Sequence, residues 1–154
     1  MLTLGSQIPD LMGKNQFGDD VSLRASLGTR TAIYFYPKDD TPGCTAQACS
    51  IRDGEQALAA EGITVLGISA DSVTAHQKFS VKYTLPFTLI SDPDRSIIEA
   101  FGVWGPKKFM GKTYDGIHRT SFIFDERGTL VKVIEKPNTK NHAEEIINFF
   151  KENK

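Results

Sequence analysis

Two short apolar runs, Thr31–Tyr36 (TAIYFY) and Ile63–Ser69 (ITVLGIS), lie on either side of a stretch of strong helix formers, Thr45 to Ala60. Runs this short, rich in β-branched and aromatic residues, read as strands covered on both faces. The first stops at Pro37 and the second follows the Glu61-Gly62 break. Strand, loop, helix and strand in that order demand a βαβ crossover with a parallel strand pair. The first half of the chain is therefore expected to be α/β.

The rest of the chain extends this plan. Asp71 or Ser72 can cap a helix running to about Tyr83, Leu85–Ile90 reads as a short strand interrupted by Pro86, and Ser96–Phe101 as a further helix. From Gly102 to Gly116 the glycines and lysines suggest a long surface loop. Thr120–Asp125 and Leu130–Glu135 flank Glu126-Arg127-Gly128-Thr129 and predict an antiparallel hairpin. Asn141 with Glu144 predicts a boxed start for a last amphipathic helix, with Ile146, Ile147, Phe149 and Phe150 on its apolar face. A βαβ half followed by a ββα half is the thioredoxin-like order. The expected fold is thus α/β and thioredoxin-like, a central mixed sheet flanked by helices, with Gly5–Leu27 as an N-terminal β-hairpin extension. No repeat or linker divides the chain, so residues 1–154 are read as one domain.

Composition removes several functions. With 18 basic and 19 acidic residues the net charge is -1, which offers no phosphate-binding surface, and nucleic acid is not an expected partner. No apolar run approaches the roughly 18 residues of a membrane span, and MLTLGSQIPD lacks the basic and apolar parts of a secretory signal. A cytoplasmic location without membrane association is expected. Two cysteines, Cys44 and Cys49, are too few for a disulfide framework.

Cys44 stands where the loop Pro37-Lys-Asp-Asp-Thr41-Pro-Gly leaves a strand and enters a helix. Free backbone N–H groups and the positive end of the helix dipole favour an anion there, so the thiolate is the expected reactive form. Pro37 and Pro42 stiffen the loop, and Gly43 permits close approach to the main chain. Thiolate character alone does not make a fast nucleophile, because nucleophilicity falls together with basicity. Donors aimed at the leaving group are also needed. Thr41 either caps the helix or supplies such a donor. Arg119, at the entrance to the strand Thr120–Asp125, is the candidate for a second, with a rigid fork that is always charged.

Pro37, Thr41 and Cys44 match the PxxxTxxC signature of the peroxiredoxins, within FYPKDDTPGCTAQACSIRD. With VLGIS, SDPD, FGVWG and FMGKTYDGIHR, the chain resembles the bacterioferritin comigratory protein, or peroxiredoxin Q, group over nearly its whole length. The resemblance implies that Cys44 is the peroxidatic cysteine, that Arg119, Thr41 and Pro37 complete its pocket, and that Cys49 is the resolving cysteine. It implies a hydroperoxide substrate and thioredoxin or a similar dithiol as reductant, with no cofactor and no metal. An intramolecular resolving thiol makes a monomer sufficient, and a monomer is expected.

Helix geometry adds a constraint to that pairing. Residues five apart in an α-helix have Cα atoms roughly 8.6 Å apart on nearly opposite faces, whereas a disulfide needs at most about 7 Å. The helix is therefore expected to unwind in each turnover. Rival readings fit less well. A thiol-disulfide oxidoreductase favours C-x-x-C, and a metal-binding or structural module with Cys44, Cys49 and some of His76, His118 and His142 as ligands matches no familiar zinc spacing. A binding role on the same scaffold is excluded by nothing in the fold.

Overall fold

The computed structural model describes residues 1–153. Nine strands and five α-helices follow in the order β1 (Met12–Asn15), β2 (Asp20–Ser22), a 3-10 turn (Leu23–Ser26), β3 (Arg30–Phe35), α1 (Pro42–Asp53), α2 (Glu55–Ala60), β4 (Ile63–Ser69), α3 (Val73–Tyr83), β5 (Thr88–Ser91), α4 (Ser96–Phe101), β6 (Trp104–Phe109), β7 (Lys112–Ile117), β8 (Thr120–Phe124), β9 (Leu130–Ile134) and α5 (His142–Glu152). Seven strands form one mixed sheet in the order β2-β1-β5-β4-β3-β8-β9. β3, β4 and β5 run parallel to their neighbours in that trio, and β8 pairs antiparallel with β3. This is the thioredoxin-like arrangement, with the N-terminal hairpin joined to the sheet through β1 and β5.

β3 is an interior strand, between β4 and β8, and its period of two sorts the core into two layers. Ala32, Tyr34 and Tyr36 face a cluster supplied by α1, α3 and α5, including Ala48, Ile51, Phe79 and Ile146. Ile33 and Phe35 face the opposite cluster, with Ile97 and Phe101 of α4 and Phe122 and Phe124 of β8. Cys44 belongs to the first layer, so the helix that carries it is seated by core packing.

Several elements differ from the sequence expectation. The stretch expected as one helix from Thr45 to Ala60 starts earlier, at Pro42, and breaks at Gly54 into α1 and α2. A Cβ on Gly54 would lie 2.5 Å from the Cβ of Ala143 in α5, so the break is where α5 crosses against the backbone. The expected surface loop Gly102–Gly116 is instead the β6–β7 hairpin, a separate two-stranded sheet. Its turn, Met110-Gly111, has positive φ at both residues (52° and 78°), as a type I′ hairpin turn requires. Its sequence carries no alternation of apolar and polar residues and no Asn-Gly, which are the signals that announce such a turn.

At α5, the Asn141 side chain makes no capping bond. Glu145 reaches back instead, accepting from Asn138 N–H at 2.6 Å and facing His142 Nδ1 at 2.9 Å. Ser72 does cap α3, accepting from Ala75 N–H.

Replacing Gly54 with Val should cost about 1–3 kcal/mol of stability, the usual range for overpacking, as read by urea unfolding. Adding Ala143→Gly should restore much of the loss; an unchanged midpoint in the single variant would contradict the crossing.

Candidate active site

β8 runs antiparallel to β3, and Thr120 stands opposite Phe35. The residue just before β8 must therefore lie beside the chain just leaving β3. That residue is Arg119, and the chain leaving β3 is Tyr36-Pro37, the start of the loop to Cys44. Arg119 Nη2 donates to Cys44 Sγ at 3.3 Å. The base of the β6–β7 hairpin secures this approach, because His118 N–H donates to Val103 O at 2.7 Å.

The guanidinium has a second anchor that the sequence did not announce. Arg119 Nη1 donates to Gln47 Oε1 at 2.7 Å, and Gln47 is fully buried one turn beyond Cys44. With its oxygen facing a cation, the carboxamide has one sensible orientation, and its Nε2 has no partner among the described residues. The only signal for Gln47 in the sequence is its i+3 spacing from Cys44. A Cβ on Gly43 would meet Arg119 Nη2 at 3.2 Å, so this glycine makes room for the guanidinium itself.

Cys44 is 1% exposed and is the third residue of α1. The first bond of the helix ladder is Thr45 N–H to Thr41 O, at 2.8 Å, and Pro42 has no N–H. The N–H groups of Gly43 and Cys44 are left without an intrahelical acceptor, beside the sulfur. Thr41 occupies the N-cap position without making a capping bond. Its hydroxyl donates to Lys38 O at 2.9 Å, which leaves the oxygen as an acceptor facing outward from that bond; donation to a substrate oxygen needs rotation away from Lys38. Pro37, Thr41, Gly43 and Arg119 are each partly exposed around the buried thiol.

Beneath the loop lies a buried network. Tyr36 Oη donates to Asp39 Oδ1 at 2.6 Å, and Asp39 Oδ2 faces His76 Nδ1, also at 2.6 Å. His76 Nε2 lies 3.0 Å from Ile90 O, which can only accept, so that nitrogen carries a proton. Asp39 N–H donates to Asp71 Oδ2. Asp39, Asp71 and His76 are the one group of three potential metal ligands among the described residues. Asp39 and His76 engage one another, while Asp71 Oδ2 accepts from Asp39 N–H and Ser69 Oγ–H, an arrangement that suits fixing a loop better than holding an ion. His142, another candidate ligand at the sequence level, is buried between Ser121 Oγ and Glu145, and burial pushes its pKa below the usual imidazole value while Glu145 opposes the shift. His118 is exposed, stacked over Gly105 of the hairpin.

Two further groups feel the site. Lys107, on β6, donates to Ile117 O at 2.9 Å; burial and then the nearby Arg119 push it below its usual value, while the Cys44 sulfur opposes them. Tyr34 has no partner for its hydroxyl among the described residues, and burial, followed by Cys44 and Asp39, pushes it well above the usual phenol range. Cys49 is partly exposed in α1, and both cysteines are free thiols on one unbroken helix.

A thiol at a helix N-terminus, with a fixed cation against its sulfur and unpaired N–H groups beside it, is equipped for nucleophilic attack that expels an anionic oxygen. Comparison with known proteins agrees. The profile of the AhpC/TSA family matches residues 4–133. The chain is 49% identical over 150 residues to a putative peroxiredoxin bcp of Haemophilus influenzae, covering 97% of each. It is 46% identical over 151 residues to peroxiredoxin Bcp of Escherichia coli, covering 98% of this chain and 97% of that one. Among solved structures, the bacterioferritin comigratory protein of Xanthomonas campestris superposes with a TM-score of 0.87 at 35% identity, over 94% of this chain and 92% of that one. A serine mutant of peroxiredoxin Q from Xylella fastidiosa superposes with a TM-score of 0.92 at 27% identity, over 99% and 98%.

Gln47→Leu keeps the volume but removes the acceptor that fixes the Arg119 fork. The second-order rate of Cys44 oxidation by hydrogen peroxide should fall roughly tenfold, the scale of one charge-assisted hydrogen bond, with the fold retained by circular dichroism. A wild-type rate would show that Arg119 is positioned without it.

Proposed function

This chain belongs to the AhpC/TSA family of peroxiredoxins and is a thiol-dependent peroxidase; from that premise we propose that Cys44 reduces hydrogen peroxide and organic hydroperoxides, that Cys49 resolves the product, and that thioredoxin or a similar dithiol recycles it. The observation that carries the assignment is the Arg119 guanidinium 3.3 Å from the Cys44 sulfur. The thiolate attacks one peroxide oxygen, an S–O bond forms as O–O breaks, and the departing oxygen takes up a proton to leave as water or an alcohol. Cys44 becomes a sulfenic acid. Arg119 stabilises the thiolate and the charge developing along the S–O–O axis, helped by the Gly43 and Cys44 N–H groups. Thr41 orients the peroxide through its hydroxyl, and Pro37 keeps the loop in shape. Alkyl peroxide reduction is ascribed to the Xanthomonas relative, and we extend that substrate class to this chain.

Resolution requires the Cys49 thiolate to reach the Cys44 sulfur. Both lie in one intact helix, so at least its first turns must open. The start of α1 suits this, since it has no side-chain cap and no acidic residue in its first turn, two features that otherwise strengthen a helix N-terminus. Because the resolving thiol is in the same chain, we propose that a monomer completes the cycle, and that residues 1–154 act as one domain. No helix among the described residues is long and apolar enough to cross a membrane; a cytoplasmic location is part of the same proposal.

Peroxide-dependent oxidation of thioredoxin tests the scheme. Cys44→Ser should be inactive, Cys49→Ser should be oxidised once and then turn over poorly, and Arg119→Lys should lose rate as the fork geometry is lost; full activity in Cys44→Ser would overturn the assignment. A crystal of the disulfide form should show displaced backbone around Ala46–Ser50, and an unchanged helix there would exclude unwinding.

A further inference from the structure

The attacking thiol has a guanidinium against it, and the resolving thiol has one nearby on a different side of the same helix. Arg52 follows Cys49 by three residues, a spacing that sets their Cβ atoms about 5–6 Å apart on one helix face. Arg52 is not a loose surface charge. Its Nη1 donates to Tyr83 O at 2.8 Å and its Nε to Asp53 Oδ1 at 2.9 Å, with 34% of the side chain exposed. The Asp53 bond chiefly, and then the Cys49 sulfur among other influences, favours its charged form against partial desolvation. Arg119 cannot take this role, being committed to Cys44 and Gln47, and residues five apart lie about 140° apart around a helix.

Anchorage matters because the helix is proposed to open. Tyr83 is the last residue of α3. Its carbonyl holds Arg52 behind the opening segment, while its hydroxyl donates to Asp40 Oδ1 at 2.7 Å ahead of it. Lys82 also reaches Asp40, at 2.7 Å, and Asp40 sits in the left-handed region at φ 57°, a conformation that needs outside support in a non-glycine residue. α3 thus grips the chain on both sides of the residues that unwind, and the Arg52 charge stays where Cys49 must react.

We propose that Arg52 is the positioning residue of the resolving step: held to α3 through the Tyr83 carbonyl, its guanidinium stabilises the Cys49 thiolate that attacks the Cys44 sulfenic acid. This rests on Cys49 being the resolving thiol. The Cys49 proton passes to solvent, an S–S bond forms as the Cys44 S–O bond breaks, and hydroxide leaves and is protonated to water. Cys49 sulfur is oxidised as Cys44 sulfur is reduced.

Other ionisable groups border this helix. Asp53 is on α1 itself, and its side chain is 69% exposed, so solvent screens its opposing charge. Asp40 and Lys82 from the loop and α3 offset one another. Tyr83 is committed to Asp40, Tyr34 from β3 lies within electrostatic reach of both cysteines, and Glu144 and Lys140 line the crevice at Ser50 and Asp53 from the α5 side. Arg52 is the cation among them that is both anchored and on the face of Cys49.

The test follows a stoichiometric pulse of hydrogen peroxide in wild type, Arg52→Gln and Arg52→Lys. Dimedone trapping and acid-quenched mass spectrometry resolve Cys44 oxidation from Cys44–Cys49 disulfide formation across pH and salt. Arg52→Gln should slow disulfide formation, relative to Cys44 oxidation, about fivefold near neutral pH, and should move the pH midpoint of that rate upward by about 0.7 unit. Arg52→Lys should keep the wild-type midpoint, and added salt should slow wild type more than Arg52→Gln. The proposal is overturned if Arg52→Gln retains the wild-type midpoint, including a slowing that is equal at every pH and salt, or if Arg52→Lys shares the midpoint of Arg52→Gln. A wild type that forms no Cys44–Cys49 disulfide would remove the resolving assignment itself; a wild type that forms it while the Arg52→Gln profile is unmoved would remove only the role of Arg52.

Discussion

Arg119 and Cys44 are 75 residues apart in sequence, and their side chains meet at 3.3 Å. A cation held that close to the sulfur remains in place when negative charge moves onto the departing oxygen, without reorganising at the moment of reaction. Keeping it there takes contributions from several parts of the chain. The β3–β8 register brings Arg119 beside the loop, the hairpin base fixes the backbone ahead of it, Gly43 leaves room for the guanidinium, and the buried Gln47 accepts from its other nitrogen.

The helix that carries Cys44 is under opposing demands. Attack needs it wound, because the free N–H groups and the seat of the sulfur exist only in the helical form. The proposed resolution by Cys49 needs it open. Its composition reflects both: Cys44, Gln47, Ala48 and Ile51 are buried and hold it down, while its start lacks a side-chain cap. Around it the structure is firm. The Tyr36–Asp39–His76 network fixes the loop in front from beneath, and the end of α3 binds Asp40 and Arg52 at its two flanks. Opening can then be local, with the surrounding elements retained for closure after reduction.

Much of this was readable before the structure. The two apolar runs and the helix between them predict the parallel βαβ unit, and the hairpin and last helix follow from turn chemistry and periodicity. The PxxxTxxC signature marks Cys44, Thr41 and Pro37 as one local unit, since eight consecutive residues cannot be far apart. Errors arose where a distant contact decides local structure. Gly54 breaks a good helical stretch because α5 crosses it, and Met110-Gly111 closes a hairpin in a segment without strand patterning. Asn141 looks like a cap, yet Glu145 reaches back to the preceding turn in its place.

Sequence alone therefore determined the parallel βαβ unit and the later ββα unit, the position of the thiol at a helix start and the distance problem between Cys44 and Cys49, because each depends on neighbours along the chain. Tertiary structure decided that Arg119 meets the Cys44 sulfur, that Thr41 points its proton at Lys38, that Gln47 and Lys107 join the site, and that His76 supports a loop. Those outcomes follow from sheet register and helix crossings, which bring remote residues within hydrogen-bond range and leave no trace in local spacing.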